Sequence, residues 1–453
     1  MKSVLILVWL ICQSGFSVTA QNPILEQYIS EGLQSNQALK QRQLDYAAQL
    51  SALKEAKGLF FPGVSLNARY TVAEGGRQIE FPVGDLLNPV YSTLNLLTAT
   101  NLFPQIENQT FSFYRPTEHE TKVSLVQPIF NSELIQNYRI KQNHAEIAKI
   151  GVDRYQRELI KEITQAYYDY QKAYNLVELA DTSFSLVREN LRVSQRLFDN
   201  DKVTKDAVYR SESELSKVEV QQAQANNMLQ ASLAYFNFLL NRRLDASIEL
   251  ARQDPVPPTI SLEDASLMAI QNRDELRQIE QYQQLNQHVT KLHRGSNYPG
   301  LFGVVDYGFQ GEKYSFTQDD DFLLASLVMK WNLFQGNANH QKVKQSKIEG
   351  EKLGEIYSET EQQIKLEVIN HYYALQAAYE SVQSAGKQTQ SSMRAYELID
   401  RKYSEGQSSL LELIDARTSL TSAAANLIIS QSEYFIRLAD FKYAMGANGP
   451  ENY

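Results

Sequence analysis

The 453-residue sequence contains one cysteine, two tryptophans, 12 prolines and 20 glycines. So few turn-forming residues leave little material for several compact domains and favour long helices. Basic residues are not in excess either: 44 Lys and Arg stand against 53 Asp and Glu, a formal net charge of −9. Without a Lys/Arg surplus, nucleic acid is not a partner this chain is built for. After residue 20 no run of 18 apolar residues occurs, so no helix is available to span a bilayer, and any span has to be made of strands. Catalytic signatures are missing as well: there is no glycine-rich phosphate loop, no nucleophile elbow and no cysteine cluster. The six histidines, His119, His144, His288, His293, His340 and His371, are scattered, and the step from His288 to His293 does not put two ligands on one helical face. The reading is therefore of a non-enzyme without metal or cofactor. Asp319, Asp320 and Asp321 form an acidic run that reads better as a solvated hairpin tip than as a cation site.

What is present begins with a targeting segment. Lys2 precedes the apolar run from Val4 to Cys12, and Val18-Thr19-Ala20 follows with small residues where a signal peptidase reads. Residues 1–20 are expected to be removed, with the mature chain starting at Gln21. Ile11 stands where a lipoprotein signal needs a small residue, so Cys12 leaves with the signal and the exported chain has no thiol chemistry. The remaining 26 Tyr and 19 Phe are too many rings for a disordered chain.

The chain is a tandem repeat. A slide of 237 lays Leu25-Glu26 on Leu262-Glu263 and Phe61-Pro62-Gly63 on Tyr298-Pro299-Gly300, whereas a slide of 205 lays Arg196-Leu197-Phe198 on Arg401-Lys402-Tyr403. The drop in offset, 237 − 205 = 32, assigns about 32 extra residues to the first copy, between Thr71 and Glu120. The expected organisation is a first repeat over 21–253, a Pro-rich linker over 254–259, a second repeat over 260–447 and a tail over 448–453. Each repeat reads as one helix, two strands and two further helices, with residues 75–118 forming an external loop too apolar for a free tail.

Val64, Leu66, Ala68, Tyr70 and Val72 alternate with Ser65, Asn67, Arg69 and Thr71, and Thr121, Val123 and Leu125 alternate with Glu120, Lys122 and Ser124. Period-two alternation fits barrel strands with lipid on one face and water on the other, and it also fits a soluble sheet covering a core. Leu301 to Phe309 and Phe322 to Trp331 supply a third and a fourth strand, and Tyr70, Tyr298, Tyr307, Phe309 and Trp331 suit an aromatic girdle. The helical signal is stronger. Ile163, Ala166, Tyr170, Ala173, Val177, Ala180, Phe184, Val187, Leu191, Ser194 and Phe198 follow coiled-coil spacing, and adding 205 reproduces the seam from Val368 to Tyr403, including His371 as a packed residue. Starting near Ser132 and Asn337, each helix of roughly 65 residues has a length of about 100 Å.

Four spanning strands cannot close a barrel, and open edges cannot face lipid. The barrel must be shared: two copies make eight strands, three make twelve. At this point the residues resemble the TolC-like outer-membrane efflux protein family (outer membrane factors). The resemblance is carried by Val123-Ser124-Leu125-Val126-Gln127-Pro128-Ile129-Phe130 leading into a long helix, by Tyr403-Ser404-Glu405-Gly406, by Leu413-Ile414-Asp415-Ala416-Arg417 and by Phe441-Lys442-Tyr443-Ala444-Met445-Gly446. It implies a mainly α fold with a small β part, in which a homotrimer forms a 12-stranded β-barrel on an α-helical barrel. It further implies an outer-membrane exit duct of a tripartite efflux or type I secretion system, docked on a periplasmic adaptor (membrane fusion protein) and an inner-membrane RND or ABC transporter. The competing class is a periplasmic coiled-coil scaffold without a pore, which accounts for the helices but not the strands.

The resemblance also assigns an aperture. Its two acidic rings correspond to Glu412 and Asp415, and three-residue spacing puts both carboxylates on one helical face. Threefold symmetry would turn them into rings that attract cations and raise one another's pKa values; spacing alone describes a solvated helix face equally well. The family's closing tyrosine corresponds to Tyr403. Its arginine falls on Ser408 and its aspartate on Ala207, with Asp206 adjacent, leaving Arg417 and Arg401 as candidate replacement cations. Gly406, and Asn200 or Asp201 in the first copy, can take the left-handed conformation that ends each long helix at the tip.

Overall fold

The computed structural model describes residues 22–447. The expected signal segment with Cys12, and the tail 448–453, lie outside the described residues. In chain order the elements are α1 (Pro23–Ser35), α2 (Gln37–Gly58), β1 (Gly63–Val72), β2 (Gln78–Phe81), α3 (Val83–Thr98), β3 (Gln109–Ser112), β4 (Thr117–Phe130), α4 (Ser132–Asp199), α5 (Lys205–Leu239), α6 (Leu262–Asn272), α7 (Asp274–Gly295), β5 (Gly300–Gly311), β6 (Asp321–Lys330), α8 (Ala338–Ser404) and α9 (Leu410–Ala444). Two compact units share them, each drawing on both halves of the sequence. One takes the chain up to Leu50, Asn143–Leu285 and everything from Glu349 on; the other takes Ser51–Gln142 and Asn286–Ile348.

The first unit is helical. Every residue of the expected seam on α4 and of its counterpart on α8 is buried or half-buried, because three-four spacing keeps one stripe turned toward neighbouring helices. Leu159, Ile160 and Ile163 are fully buried. Around them Tyr28 meets Phe236 edge-on at 5.1 Å and Tyr168 stacks on Phe435 at 4.4 Å, contacts that contribute about 0.5–1.5 kcal/mol each beyond burial. Gly32 lets α1 approach α4, since a Cβ there would stand 2.3 Å from Ile163 Cδ1.

The single leading helix expected in each repeat is in fact two, broken at Asn36 and Arg273, positions one 237-residue offset apart. The cause is long-range bonding that outweighs helix continuity. Asn36 takes an extended ψ of 127°, accepts from Leu39 N at 2.9 Å and donates to Leu239 O at 2.9 Å. Arg273 sends its buried guanidinium to Glu275 at 2.9 Å and Glu367 at 3.0 Å, and to the carbonyl of Ala444 at 3.3 Å.

The second unit holds a four-stranded antiparallel sheet in the order β1-β4-β5-β6. Leu66, Val123, Tyr307 and Leu323 stand side by side across it, and one residue on, Asn67, Lys122, Gly308 and Phe322 occupy the opposite face. Gly308 is required by close approach: a Cβ would lie 2.5 Å from the carbonyl oxygen of Thr121 and from Lys122 Cβ. The second strand is longer than the stretch from Glu120 to Leu125 that alternation marked, because pairing with β5 carries it on to a register shift between Pro128 and Phe130, where proline has no N–H to give. Among the described residues no helix is long and apolar enough to cross a membrane.

Residues 75–118, expected as an external loop, hold secondary structure of their own. β2 pairs with β3, placing Ile79 opposite Phe111, and α3 fills the space between them in sequence. Local chemistry explains it: Asn88 and Asn95, seven residues apart, satisfy the backbone of the segment that returns from α3 to β3.

Candidate functional site

The two long helices end in the same way. Asp201 takes a φ of +53° and Gly406 one of +74°, positions 205 apart. Behind each, two backbone bonds close the helix end: Asp201 N to Phe198 O at 2.9 Å with Lys202 N to Leu197 O at 2.8 Å, and Gly406 N to Tyr403 O at 2.9 Å with Gln407 N to Lys402 O at 2.8 Å. This is a Schellman motif in both copies, with the ordinary glycine in one and a strained aspartate in the other.

The helices that leave these turns start differently. At α9, Ser409 Oγ accepts from Glu412 N at 3.3 Å while the Glu412 carboxylate accepts from Ser409 N at 3.2 Å, a complete capping box. Ser408 Oγ donates to the same carboxylate. The hydrogen bonds from Ser408 and from the Ser409 backbone hold the Glu412 carboxyl below its usual range within one protomer. Asp415 is exposed one turn on, on the same helix. Glu412 and Asp415 are thus near neighbours at the start of α9, but the first is engaged by its own helix terminus. Thr204 makes no side-chain cap at α5; its hydroxyl bonds the carboxylate of Asp206, which also meets Arg210 at 3.5 Å. The bond from Thr204 lowers the Asp206 pKa.

Tyr403 is buried, and it is not joined to Asp206. Its hydroxyl lies 3.3 Å from Ser194 Oγ, which lies 3.0 Å from Ser211 Oγ, and Ser211 donates to the carbonyl of Ala207 at 2.9 Å. Three hydroxyls therefore link α4, α5 and α8 where the resemblance implied a tyrosine–aspartate contact. Of the two candidate cations, Arg401 is exposed and Arg417 is buried. Arg417 reaches from α9 to Glu214 on α5 at 2.7 Å, and Glu214 also holds Lys217 at 2.7 Å. Ser211 and Glu214 escaped sequence reasoning because they depart from the repeat: 205 residues on stand Ala416 and Ser419. Ser194 was visible as a polar residue in an otherwise apolar seam.

The sheet carries a second polar constellation. On the face shared by Asn67 and Ser124, Arg69 lies 3.5 Å from Glu120, Glu120 lies 2.9 Å from Lys122, and Lys122 lies 3.2 Å from Asp306. Charges alternate across β1, β4 and β5. The opposite face is apolar and bare, with Leu66 and Leu323 each 71% exposed. One charged face and one apolar face, with open edges at β1 and β6, are the features that a membrane-spanning sheet needs, together with further strands to pair those edges. Six rings, from Tyr70 through Tyr314, His119 and Phe316 to Phe309 and Tyr307, follow one another in contact near one end of that sheet. Asp320 is occupied there by Ser315 Oγ at 2.5 Å and Thr317 Oγ1 at 2.8 Å. Among the described residues no group of three or more His, Cys, Asp or Glu is placed to hold a metal ion.

These features are those of an outer-membrane channel protomer. The model of the family described as "Outer membrane efflux protein" matches residues 266–447. The outer membrane protein TolC of Salmonella enteritidis is 20% identical over 465 residues, covering 98% of this chain and 86% of that protein. TolC of Escherichia coli (strain K12) is 20% identical over 463 residues, covering 98% and 87%. Among solved structures, the CmeC outer membrane channel of Campylobacter jejuni superposes with a TM-score of 0.75 at 15% identity, covering 95% of this chain and 87% of that one. The chain is thus similar along nearly its whole length to TolC, an outer membrane protein, and its residues 266–447 match the outer membrane efflux protein family. The matched family and the matched structure are described as an efflux protein and an outer membrane channel.

Proposed function

We propose that three copies of this chain close one 12-stranded barrel from their β1-β4-β5-β6 sheets and form the passive exit duct of a tripartite efflux or type I secretion system. Substrate would arrive through a periplasmic adaptor from an inner-membrane RND or ABC transporter, since no nucleotide-binding loop stands in this sequence to supply energy. The observation that carries the reading is the two-faced sheet with unpaired edges: an apolar face, a face of alternating charges, and strand edges that a bilayer does not tolerate open. The turns at Asp201 and Gly406 form the periplasmic tip, and Glu412 and Asp415 narrow it as acidic rings, with Tyr403 tying the helix ends behind them. The two repeats, 21–253 and 260–447, are the units that threefold assembly turns into six-fold pseudosymmetry.

Single-channel conductance of the detergent-purified protein in a planar bilayer tests this, with wild type set beside Glu412→Gln/Asp415→Asn. Discrete cation-selective openings whose selectivity weakens in the double variant support a pore with the acidic pair at its constriction. A folded oligomer that never conducts, even with its tip loosened by mutation, would put the pore-free scaffold in its place.

A further inference from the structure

The insert between β1 and β4 is turned inside out. The segment over 101–108 runs along one face of α3 and is stitched to it by two side-chain amides: Asn88 exchanges both its bonds with Ile106 at 2.9 Å, and Asn95 donates to Phe103 O at 2.7 Å and accepts from Phe103 N at 3.1 Å. Gly84 lies on the same face, so close that a Cβ would stand 2.4 Å from Ile106 O. The polar face of the helix is therefore the covered one. The opposite face carries Leu86, Val90, Thr93 and Leu97, in steps of four, three and four, with Leu86 66% and Leu97 76% exposed. That is the spacing of a coiled-coil seam over two heptads. It bears no charge: the helix's single ionisable carboxylate, Asp85, lies off the stripe, where Asn108 donates to it at 3.0 Å.

A stripe of this kind marks an interaction surface, and its chemistry selects the occupant. A helix lying in a lipid interface carries Lys or Arg on its polar face; α3 has neither, and its polar face is already filled by residues 101–108. A heptad seam is complemented by another heptad seam. The nearest equivalent is the same helix in a second copy, because the insert is continuous with β1, an edge strand that only another chain can pair. We infer that α3 is an intersubunit clasp: in the assembled channel the stripe from Leu86 to Leu97 packs against the α3 helices of neighbouring copies around the symmetry axis. The clasp sits at the sheet end away from the connection into α4, where it narrows the mouth. This rests on the shared-barrel reading.

The test uses the protein purified from membranes in detergent; its one cysteine, Cys12, lies in the segment expected to be removed, and a thiol titration of the wild type checks that an introduced thiol stands alone. Val90→Cys places that thiol in the stripe, and Ser92→Cys places it about 160° away around the same helix. Under copper-phenanthroline oxidation, Val90→Cys gives covalent dimers at least ~10-fold faster than Ser92→Cys. Adding Leu86→Glu and Leu97→Glu brings the Val90→Cys rate down to that of the control. Equal rates at the two positions in an oligomer of intact native mass, or free labelling of Val90→Cys by a membrane-impermeant maleimide, overturn the clasp and leave the channel standing. A monomeric native mass overturns both.

Discussion

The buried Arg417–Glu214 pair, 2.7 Å apart, ties the start of α9 to α5 beside the helix turns. At an effective dielectric of about 20 the direct attraction is ~6 kcal/mol, most of it offset by the desolvation of both groups. The two ends are unequal: Arg417 is buried, whereas Glu214 keeps Lys217 and some water. Glu214→Gln therefore strands a buried guanidinium and is expected to cost about 3 kcal/mol, the lower end for a broken buried pair. Arg417→Met leaves a carboxylate that still has a partner, at about 1–2 kcal/mol, and the double variant falls near the milder single one, because both charges go together. A local loss of 3 kcal/mol multiplies the population of the opened α5–α9 contact by roughly 150. Amide exchange around Ser211 and Ala416 reads that opening, and urea titration of the helical signal reads the global cost. If the double variant loses the sum of the two single losses, the residues act independently and the reasoning is refuted. The pair also sets a pH dependence. Burial raises the Glu214 pKa, but the bonds from Lys217 and Arg417 outweigh it and bring it below the ordinary 4.5. A depressed folded pKa means stabilisation that is complete above about pH 4.5 and is lost as the pH falls through the lower folded value. Wild type and Glu214→Gln should converge in stability on that acidic side.

Three further outcomes are expected. Gly406→Ala has open space for its Cβ but keeps a φ of +74°, so it should lose about 1 kcal/mol of thermal stability from backbone strain alone, while Asp201→Gly at the matching turn should gain by a similar amount. Gly308→Val drives its side chain into the backbone of β4, and a cost of about 1–3 kcal/mol in sheet pairing should appear as less detergent-stable oligomer recovered from membranes. Lys122→Met removes the cation between Glu120 and Asp306; if that face lines the water path, the reversal potential shifts toward cation preference, and an unchanged potential would assign the face elsewhere.

The helices α4 and α8 and the strand β1 were legible almost to the residue, since periodicity records a face and a face is a local property of sequence. The doubled turn was legible at Gly406, whereas in the first copy sequence offered Asn200 or Asp201 and the structure gives the positive φ to Asp201. The interruptions at Asn36 and Arg273 were not. Asn36 does cap the next helix through Leu39 N, but each break is completed by a partner far along the chain, Leu239 for Asn36 and Glu367 for Arg273. The helix in the insert was hidden by Pro89 within it and by a polar covered face that reverses the usual rule.

At the tip, sequence placed Glu412 and Asp415 on one face but said nothing of the capping box that engages the first. It offered Asp206 as a stand-in for a missing aspartate; packing instead joined Tyr403 to Ser194 and Ser211, because α4, α5 and α8 converge there and Asp206 sits on the outer turn of α5. Repetition, the paired long helices and the two-faced strands follow from period alone, each being a sum over neighbouring residues. Which charges and hydroxyls meet across helices was decided only by tertiary structure, because those contacts join residues some 200 positions apart, and which stripe of α3 is left bare was decided by the amide bonds of Asn88 and Asn95 to the segment that folds back on them.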